Sequence, residues 1–511
     1  MLIAPFCIFL CTFAAMKKCI VPSAPLFPIA ASLIAGIVMG ERLGVSASLW
    51  PLFVGSVVLA LFCHRRALAG SISLMVSSAL LGMLLTGMKN DEAKGYTFDK
   101  TARLLEAVII SEPAEKAKTF AFDVLLTTNG RKLKCFVERD SLSRRLSPGT
   151  GLVIYTRIEP FTDFGNGRFD YEDYLLKHGF SGRCYAAHGH WQPSRVSLRG
   201  LSPVDRSRIS FLRWRHRLLA RYRLLGASSD RYAVLAAMTL GDKSALTLEL
   251  RDAYSVTGAS HVLALSGLHL GIIYFLLSLF TLGHRRRLWV QAVLIASVWA
   301  FAFLVGLPVS VVRSATMLSI FALFSRRGNS HASVNVLSFA AILILLQNPY
   351  ALFDVGFQLS FMAVLAILLL LPLTEAWVSA QWTQEHWLAG RLWSCLTVSM
   401  AAQVGTAPLV AFYFGRFACY FLLTNLIVLP AAYLVLLGSL AMLLLPFAPV
   451  ATAVFFVVDT LNHALALIAR LPMASIEGLA PTTLQVMLCY VVIALVYAAL
   501  LRLNNQRLCG G

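Results

Sequence analysis

The sequence predicts an α-helical polytopic membrane protein with an all-β barrel domain inserted between an N-terminal and a C-terminal group of transmembrane helices. Three observations predict it. The 511 residues are 58% hydrophobic and only 14% charged, too little charge to clothe a soluble core. Apolar runs of roughly 20 residues recur at both ends of the chain, each long enough to cross a bilayer. Between them, residues 91 to about 230 are polar and charged, with stretches that alternate apolar and polar positions.

The first region, residues 1–90, holds candidate spans near 24–40, 48–63 and 68–88. Residues 2–15 are also apolar but lack the charged start of a signal peptide. Met16-Lys17-Lys18 resembles a translation start, so Met1 to Ala15 are expected to be an upstream extension. The last region, residues 258–511, holds candidate spans near 259–282, 288–305, 308–325, 331–347, 354–372, 391–413, 420–445, 449–470 and 483–502. The expectation is thus about 12 spans.

Residues 91–200 read as the β domain. Phe120 to Gly130 and Arg131 to Asp140 alternate around Asn129-Gly130, a strong hairpin signal. Gly151 to Pro160 is a third strand, and Ser181 to Pro193 can supply a fourth. Phe169 to Phe180, FDYEDYLLKHGF, reads as a helix between them. Short strands within roughly 100 residues fit a small barrel. Cys135 and Cys184 fall on two of the strands; a disulfide and a pair of buried free thiols are both open. The ten cysteines show no CxxC pair and no Cys/His metal spacing, so no metal is expected.

Charge orients the chain. Cytoplasmic loops carry extra Lys and Arg, which explains part of the net charge of +19. Alternating the spans places Lys17-Lys18, His64-Arg65-Arg66, His284 to Arg287, Arg326-Arg327, and Arg502 with Arg507 on one side, the cytoplasmic side. Residues 91–258 are then extracytoplasmic and the C-terminus cytoplasmic.

One basic cluster breaks that rule. Residues 201–257 read as basic amphipathic and surface helices, and from Arg206 to Arg223 there are seven arginines and no acid. Ile209, Leu212, Leu218, Leu219 and Tyr222 can form an apolar stripe. Such a helix can grip anionic lipid headgroups or, as a collar of Arg213, Arg215, Arg217 and Arg221, guide a polyanion into a pore.

The spans also carry costly polar groups. Arg313, Asp354, Gln358, Gln403, Asn425, Asp459, Asn462 and His463 all fall inside or at the ends of spans. An Arg or Asp at a bilayer centre costs roughly 2.5–3.5 kcal/mol, so these groups should face protein or water. Arg313 can pair with Asp354 or Asp459, Asp354 can cap a helix, and Gln403 and Asn425 can act as helix–helix glue.

The span beginning GASHVLALSGLHLGII, from Gly258, opens with two histidines and a Ser-Gly pair. His261 and His269 lie about 80° apart on a helical wheel, and Ser266-Gly267 would interrupt the helix between them. A broken span exposes backbone donors and a helix N-terminus, which suits phosphate. It also suits an intramembrane serine hydrolase centred on Ser266, although no G-x-S-x-G elbow is present.

Residues Gly241 to Ile273, GDKSALTLELRDAYSVTGASHVLALSGLHLGII, resemble the signature of the ComEC family, the DNA-internalisation channel of bacterial competence. The likeness runs on through PVSVVRSATM, DVGFQLSFMAVLA, QVGTAPLVAFYFGRF and TNLIVLPAAYL, in the family's order. In the middle region, FGNGRFDYEDYLLKHGFSGRCYA resembles a pattern in the family's extracytoplasmic OB-like domain. The resemblance covers residue 24 to about 500.

It implies passage of single-stranded DNA across the bacterial cytoplasmic (inner) membrane. The family's motif positions fall on Gly258, His261, Ser266, Gly267, His269, Arg313, Asp354, Gln358, Gln403 and Asn425. His269 and Arg313 would face phosphates, with Asp354 and Gln358 holding Arg313. Lys132, Lys134, Arg157 and Arg168, with Phe136, would form the DNA-binding surface of the OB-like barrel. The chain shows neither the HxHxDH motif of the family's β-lactamase-like domain nor a Walker motif. A channel is expected rather than an enzyme, with no cofactor. Its expected partners are an extracytoplasmic DNA receptor, a separate nuclease, cytoplasmic motor or single-strand-binding proteins, and, as an open option, further copies of itself. A transporter of another polyanion is the remaining alternative.

Overall fold

The computed structural model describes residues 24–44, 47–94, 101–161, 171–281, 287–324, 333–375, 377–445 and 447–509. Met1 to Ala15, Lys17-Lys18, Arg168, His284 to Arg286 and Arg326-Arg327 lie outside the described residues.

Three helices come first: α1 (Leu26–Leu43), α2 (Trp50–Phe62) and α3 (Ala67–Lys94). α1 and α3 cross where glycine removes the side chain. A Cβ at Gly36 would collide with the Ala79 backbone, and one at Gly82 would lie 2.5 Å from the Leu33 carbonyl oxygen. Lipid gives no hydrophobic drive between helices, so close small-residue contacts of this kind hold neighbouring spans together.

The sheet domain follows, with β1 (Arg103–Ile109), β2 (Ala114–Glu115), β3 (Thr119–Leu126), β4 (Lys132–Glu138), β5 (Gly151–Thr156) and β6 (Ile158–Glu159), then helix α4 (Tyr171–Lys177), β7 (Phe180–Ala186) and β8 (Trp191–Pro193). The strand order is β6-β7-β4-β3-β1-β5-β8, with β2 on β3. The predicted hairpin forms. Gly130 takes φ 67°, which its missing side chain permits, and its N–H donates to the Leu126 carbonyl at 2.9 Å. β4 and β7 pair in parallel, whereas the other pairs are antiparallel. The expected barrel is not closed among the described residues: the sheet path ends at β6 and β8.

The central strand β1 was not among the predicted strands. Its LLEAVI run lacks alternation because the sheet is covered on both faces here. Ala107 and Ile109 join one core with Phe122, Leu133, Leu152 and Cys184. Val108 joins another with Leu125, Ile209 and Leu212. The last two belong to α5 (Pro203–Leu224), the arginine helix.

α5 is a strut between the two parts of the molecule. Ser202 caps it, accepting from the Asp205 N–H at 3.1 Å. The predicted stripe is buried, but by protein rather than lipid. Ile209 and Leu212 sit on the sheet, while Leu218, Leu219 and Tyr222 sit in the core of the membrane bundle. That bundle core also takes α6 (Ser229–Leu235) and the π-helical turn Ala236–Leu240, whose eight residues from Tyr232 to Leu240 other than Thr239 belong to it. These were expected among surface helices; their unbroken apolar run explains the burial.

The bundle continues with α7 (Leu248–Val256), α8 (Ser260–Leu263), α9 (Gly267–Leu279), α10 (Leu288–Leu304), α11 (Val309–Phe324), α12 (Ser333–Gln347), a 3₁₀ turn (Pro349–Phe353) and α13 (Val355–Glu375). It ends with α14 (Ala380–Glu385), α15 (Trp387–Phe414), β9 (Arg416–Ala418), α16 (Phe421–Leu444), α17 (Ala448–Ala469), β10 (Ser475–Glu477) and α18 (Thr483–Cys509). Among the described residues, seven helices are long and apolar enough to cross a membrane: α1, α3, α13, α15, α16, α17 and α18. Five shorter apolar helices, α2 and α9 to α12, fall on the remaining predicted spans.

Candidate functional site

The span from Gly258 is broken, as its sequence predicts. α8 ends at Leu263, Ala264 to Ser266 are extended or irregular, and α9 begins at Gly267. Ser266 is the N-cap. Its N–H donates to His269 Nδ1 at 3.4 Å, and its hydroxyl lies 3.2 Å from the same nitrogen. The Leu265 carbonyl, freed by the break, accepts from the Ser310 hydroxyl at 2.9 Å. His269 is fully buried, and its Nε2 has no hydrogen-bond partner among the described residues. A Ser–His contact of this length could serve a nucleophile, but the base needs a third group to orient it, and none reaches Nε2. The Ser266–His269 arrangement is that of a capping box. His261 is exposed and contacts the Gly258 carbonyl at 3.0 Å through Nδ1.

A second polar cluster joins three separate parts of the chain. Arg313 stands on α11 and is 4% exposed. Its Nη1 donates to Asp354 Oδ1 at 2.8 Å, so of its two expected partners it takes Asp354. Asp459 pairs instead with Arg231 of α6, at 2.7 to 3.0 Å through two guanidinium nitrogens. Asp354 also caps α13, accepting the Phe357 N–H at 2.8 Å. Its other oxygen meets His178 Nε2 of the sheet domain at 3.1 Å. Gly356 makes room for the arrangement: a Cβ there would lie 2.7 Å from Arg313 Nη2. Beside it, Lys177 Nζ bonds Glu41 of α1 at 2.9 Å and Asp173 at 2.7 Å, and sits over the Phe353 ring. Burial alone would lower the Lys177 ammonium, but those two carboxylates outweigh it and hold it above the ordinary lysine range.

Gln358 does not hold Arg313 as expected. It donates to the Leu352 carbonyl at 3.0 Å and accepts from the Tyr413 hydroxyl at 2.8 Å, tying α13 to α15. Gln403 on α15 and Asn425 on α16 are half-buried and make no hydrogen bond to Arg313 or Asp354. Asn462 accepts from the Tyr254 hydroxyl at 2.9 Å.

The arginines of α5 divide by role. Arg213 donates to the Gly149 carbonyl at 2.6 Å, locking the helix to the sheet domain. Arg215 is buried and donates to the Leu240 carbonyl at 2.7 Å, which satisfies the end of the π-turn. Arg217 and Arg221 are exposed, and Arg221 reaches the Leu443 carbonyl of α16 only at 3.4 Å. His216 faces Glu112 at 3.5 Å, and the hydrogen bond it donates to that carboxylate raises its pKa.

On the sheet, Lys132, Lys134, Phe136 and Glu138 point outward while Leu133, Cys135 and Val137 point inward. Two expected phosphate ligands are already engaged: Lys134 bonds Asp123 at 2.7 Å and Arg157 bonds Glu159 at 2.7 Å. Lys132 is lowered by burial and then by the nearby Arg208. The parallel β4–β7 register sets Lys134 beside Arg183 and Phe136 beside Tyr185, alternating cation and ring across two strands. Arg183 and Tyr185 were not predicted; the alternation in SGRCYA carries them, but pairing with β4 is a long-range contact. Cys135 and Cys184 are register partners, buried, and free thiols here. A hydrogen bond with Cys184, then burial, pushes the Cys135 thiol well up.

Comparison with known proteins follows the membrane half. The family model described as "Competence protein" matches residues 238–503, just over half of the chain. ComE operon protein 3 of Bacillus subtilis (strain 168) is 29% identical over 282 residues, covering 55% of this chain and 34% of its own length. Competence protein ComA of Neisseria gonorrhoeae is 28% identical over 374 residues, 70% of this chain and 50% of its own. An uncharacterized protein of Aquifex aeolicus (strain VF5) is 34% identical over 181 residues, 35% of this chain and 40% of its own. The chain therefore spans half or less of the length of these relatives. No solved structure matches. The matched segment takes in the broken span, Arg313, Asp354 and the helices packed around them, and the chain belongs to the competence protein family.

Proposed function

We propose that the chain is a channel that passes single-stranded DNA across the cytoplasmic membrane in natural transformation. The observation that carries this is the competence-family match over residues 238–503, which falls on helices whose Arg313–Asp354 pair meets the sheet domain at His178. In this reading the sheet domain and α5 are extracytoplasmic, the C-terminus is cytoplasmic, and the incoming strand meets the sheet first.

The strand path supports an OB-type role for that domain. β5 and β6 are separated only by Arg157, yet β5 pairs with β1 and β6 with β7, so the open sheet curls back on itself. Its outward face on β4 and β7 offers Phe136 and Tyr185 for base stacking, and Lys134 and Arg183, paired here with Asp123 and Glu159, for phosphates that displace those carboxylates. The expected single-strand preference of the domain rests on this platform more than on Lys132 or Arg157. Arg217 and Arg221 of α5 add long-range attraction.

The Ser266–His269 contact favours a second reading, an intramembrane serine hydrolase. Ser266→Ala separates the two. A hydrolase loses its activity outright; a channel keeps DNA uptake and loses only a helix cap. Competition of labelled DNA against an anionic polysaccharide tests the polyanion alternative. Displacement by the polysaccharide at equal charge concentration would overturn the preference for DNA.

A further inference from the structure

Arg313 cannot meet a phosphate in the arrangement described above. Its side chain is 5% exposed and its Nη1 is committed to Asp354. Yet the pairing is incomplete. Nε is buried and has no hydrogen-bond partner among the described residues. Arginine and carboxylate normally pair through two parallel bonds. Asp354 cannot offer that here, because its oxygens are shared among three donors: Arg313 and the Phe357 N–H on Oδ1, and His178 on Oδ2. The neighbouring cation, Lys177, already has Glu41 and Asp173.

His178 is held as firmly as it holds. Its Nδ1 lies 2.7 Å from the Tyr174 carbonyl, and its ring lies against the Tyr174 ring with centroids 4.0 Å apart and planes tilted by 34°. A carbonyl oxygen and a carboxylate oxygen are both acceptors, so the ring serves both when both of its nitrogens carry hydrogen. The contact crosses 176 residues of sequence, from the end of α4 in the sheet domain to the start of α13 in the bundle.

Resting on the DNA reading above, we propose that Arg313 is a phosphodiester-binding point kept shut by Asp354, and that His178 is the positioning residue that keeps Asp354 there. The two non-bridging oxygens of a backbone phosphodiester match the guanidinium fork that Asp354 leaves half used. An incoming strand would exchange a phosphate for the carboxylate at Arg313, and the displaced Asp354 would leave His178 and keep only the α13 cap. Gly356 supplies the space in which the guanidinium turns.

Removing either the carboxylate or its holder should then tighten DNA binding. The test uses the full chain in nanodiscs and a fluorescent oligothymidylate of about twelve nucleotides, within the range of OB-type sites. Asp354→Asn should raise affinity about five- to tenfold, the low end of coupling between linked sites. His178→Ala should raise it in the same direction by a smaller factor, because Asp354 then loses the partner on its second oxygen. Glu41→Gln, which removes a nearby negative charge outside the clasp, should bind as wild type does. Arg313→Gln combined with Asp354→Asn should show no gain. If Asp354→Asn fails to fold, as judged by gel filtration, His178→Ala alone decides. Wild-type binding with no gain in either variant, or an equal gain in Glu41→Gln, overturns the clasp. Absence of binding by wild type and every variant overturns the DNA reading, and the clasp with it.

Discussion

Gly356 is the residue at which one methyl group should matter most. A Cβ there would lie 2.7 Å from Arg313 Nη2 and 2.9 Å from Asp354 Oδ1, two charged groups already bonded to each other. Gly356→Ala should cost about 1–3 kcal/mol, the usual penalty of overpacking. A melting curve of the detergent-solubilised protein reads this directly, and an unchanged midpoint would show that the guanidinium moves aside. Ser266→Ala should be milder, about 1 kcal/mol for a lost N-cap, with uptake retained. At this scale the sequence marks the costly groups but not their partners. Arg313 had two carboxylates within reach of inference, and only the packing of α11 on α13 chooses Asp354. His178 was invisible: inside FDYEDYLLKHGF it reads as an ordinary surface histidine.

Among the elements, α5 carries the clearest division of labour. Changing all four of its candidate arginines together would confuse docking with DNA attraction, because Arg213 and Arg215 bond backbone carbonyls at 2.6 and 2.7 Å, whereas Arg221 reaches one only at 3.4 Å. Arg217→Gln with Arg221→Gln should leave insertion intact and flatten the slope of log affinity against log salt by about 1.4, at about 0.7 for each phosphate on a single strand. An unchanged slope would remove both from the DNA path. Arg215→Ala should instead loosen the whole junction, because it leaves the buried Leu240 carbonyl unpaired. His216 gives a pH signature. Its folded pKa is raised by Glu112, so its contribution is fully present below the unfolded value of about 6.5 and is lost as pH rises through the folded value. The melting-temperature gap between wild type and His216→Gln should be widest near about pH 6 and close on the alkaline side; a gap that widens with pH would refute the assignment. The amphipathic stripe of α5 was legible from spacing. What buries it was not, since lipid and protein are equally apolar to a helical wheel. β1 was missed for a related reason: a strand covered on both faces loses the alternation that marks strands.

The whole molecule is the scale at which the sequence says most. Runs of apolar residues announce spans because no other structure satisfies the backbone in lipid, and the long helices and shorter apolar helices fall where those runs are. The sheet domain was legible as β-rich but not in its closure, because closure depends on which edges meet. Orientation can be tested by reporter fusions at Gly130 and Gly511, which should give opposite signals; matching signals would sink the proposed topology. The most direct measurement of the central claim is the entry of labelled DNA into the cytoplasm of cells with and without this gene. Deletion should leave DNA bound outside the cytoplasmic membrane and abolish the nuclease-protected cytoplasmic fraction, with restoration by the wild-type gene. An undiminished cytoplasmic fraction in the deletion strain would contradict the channel.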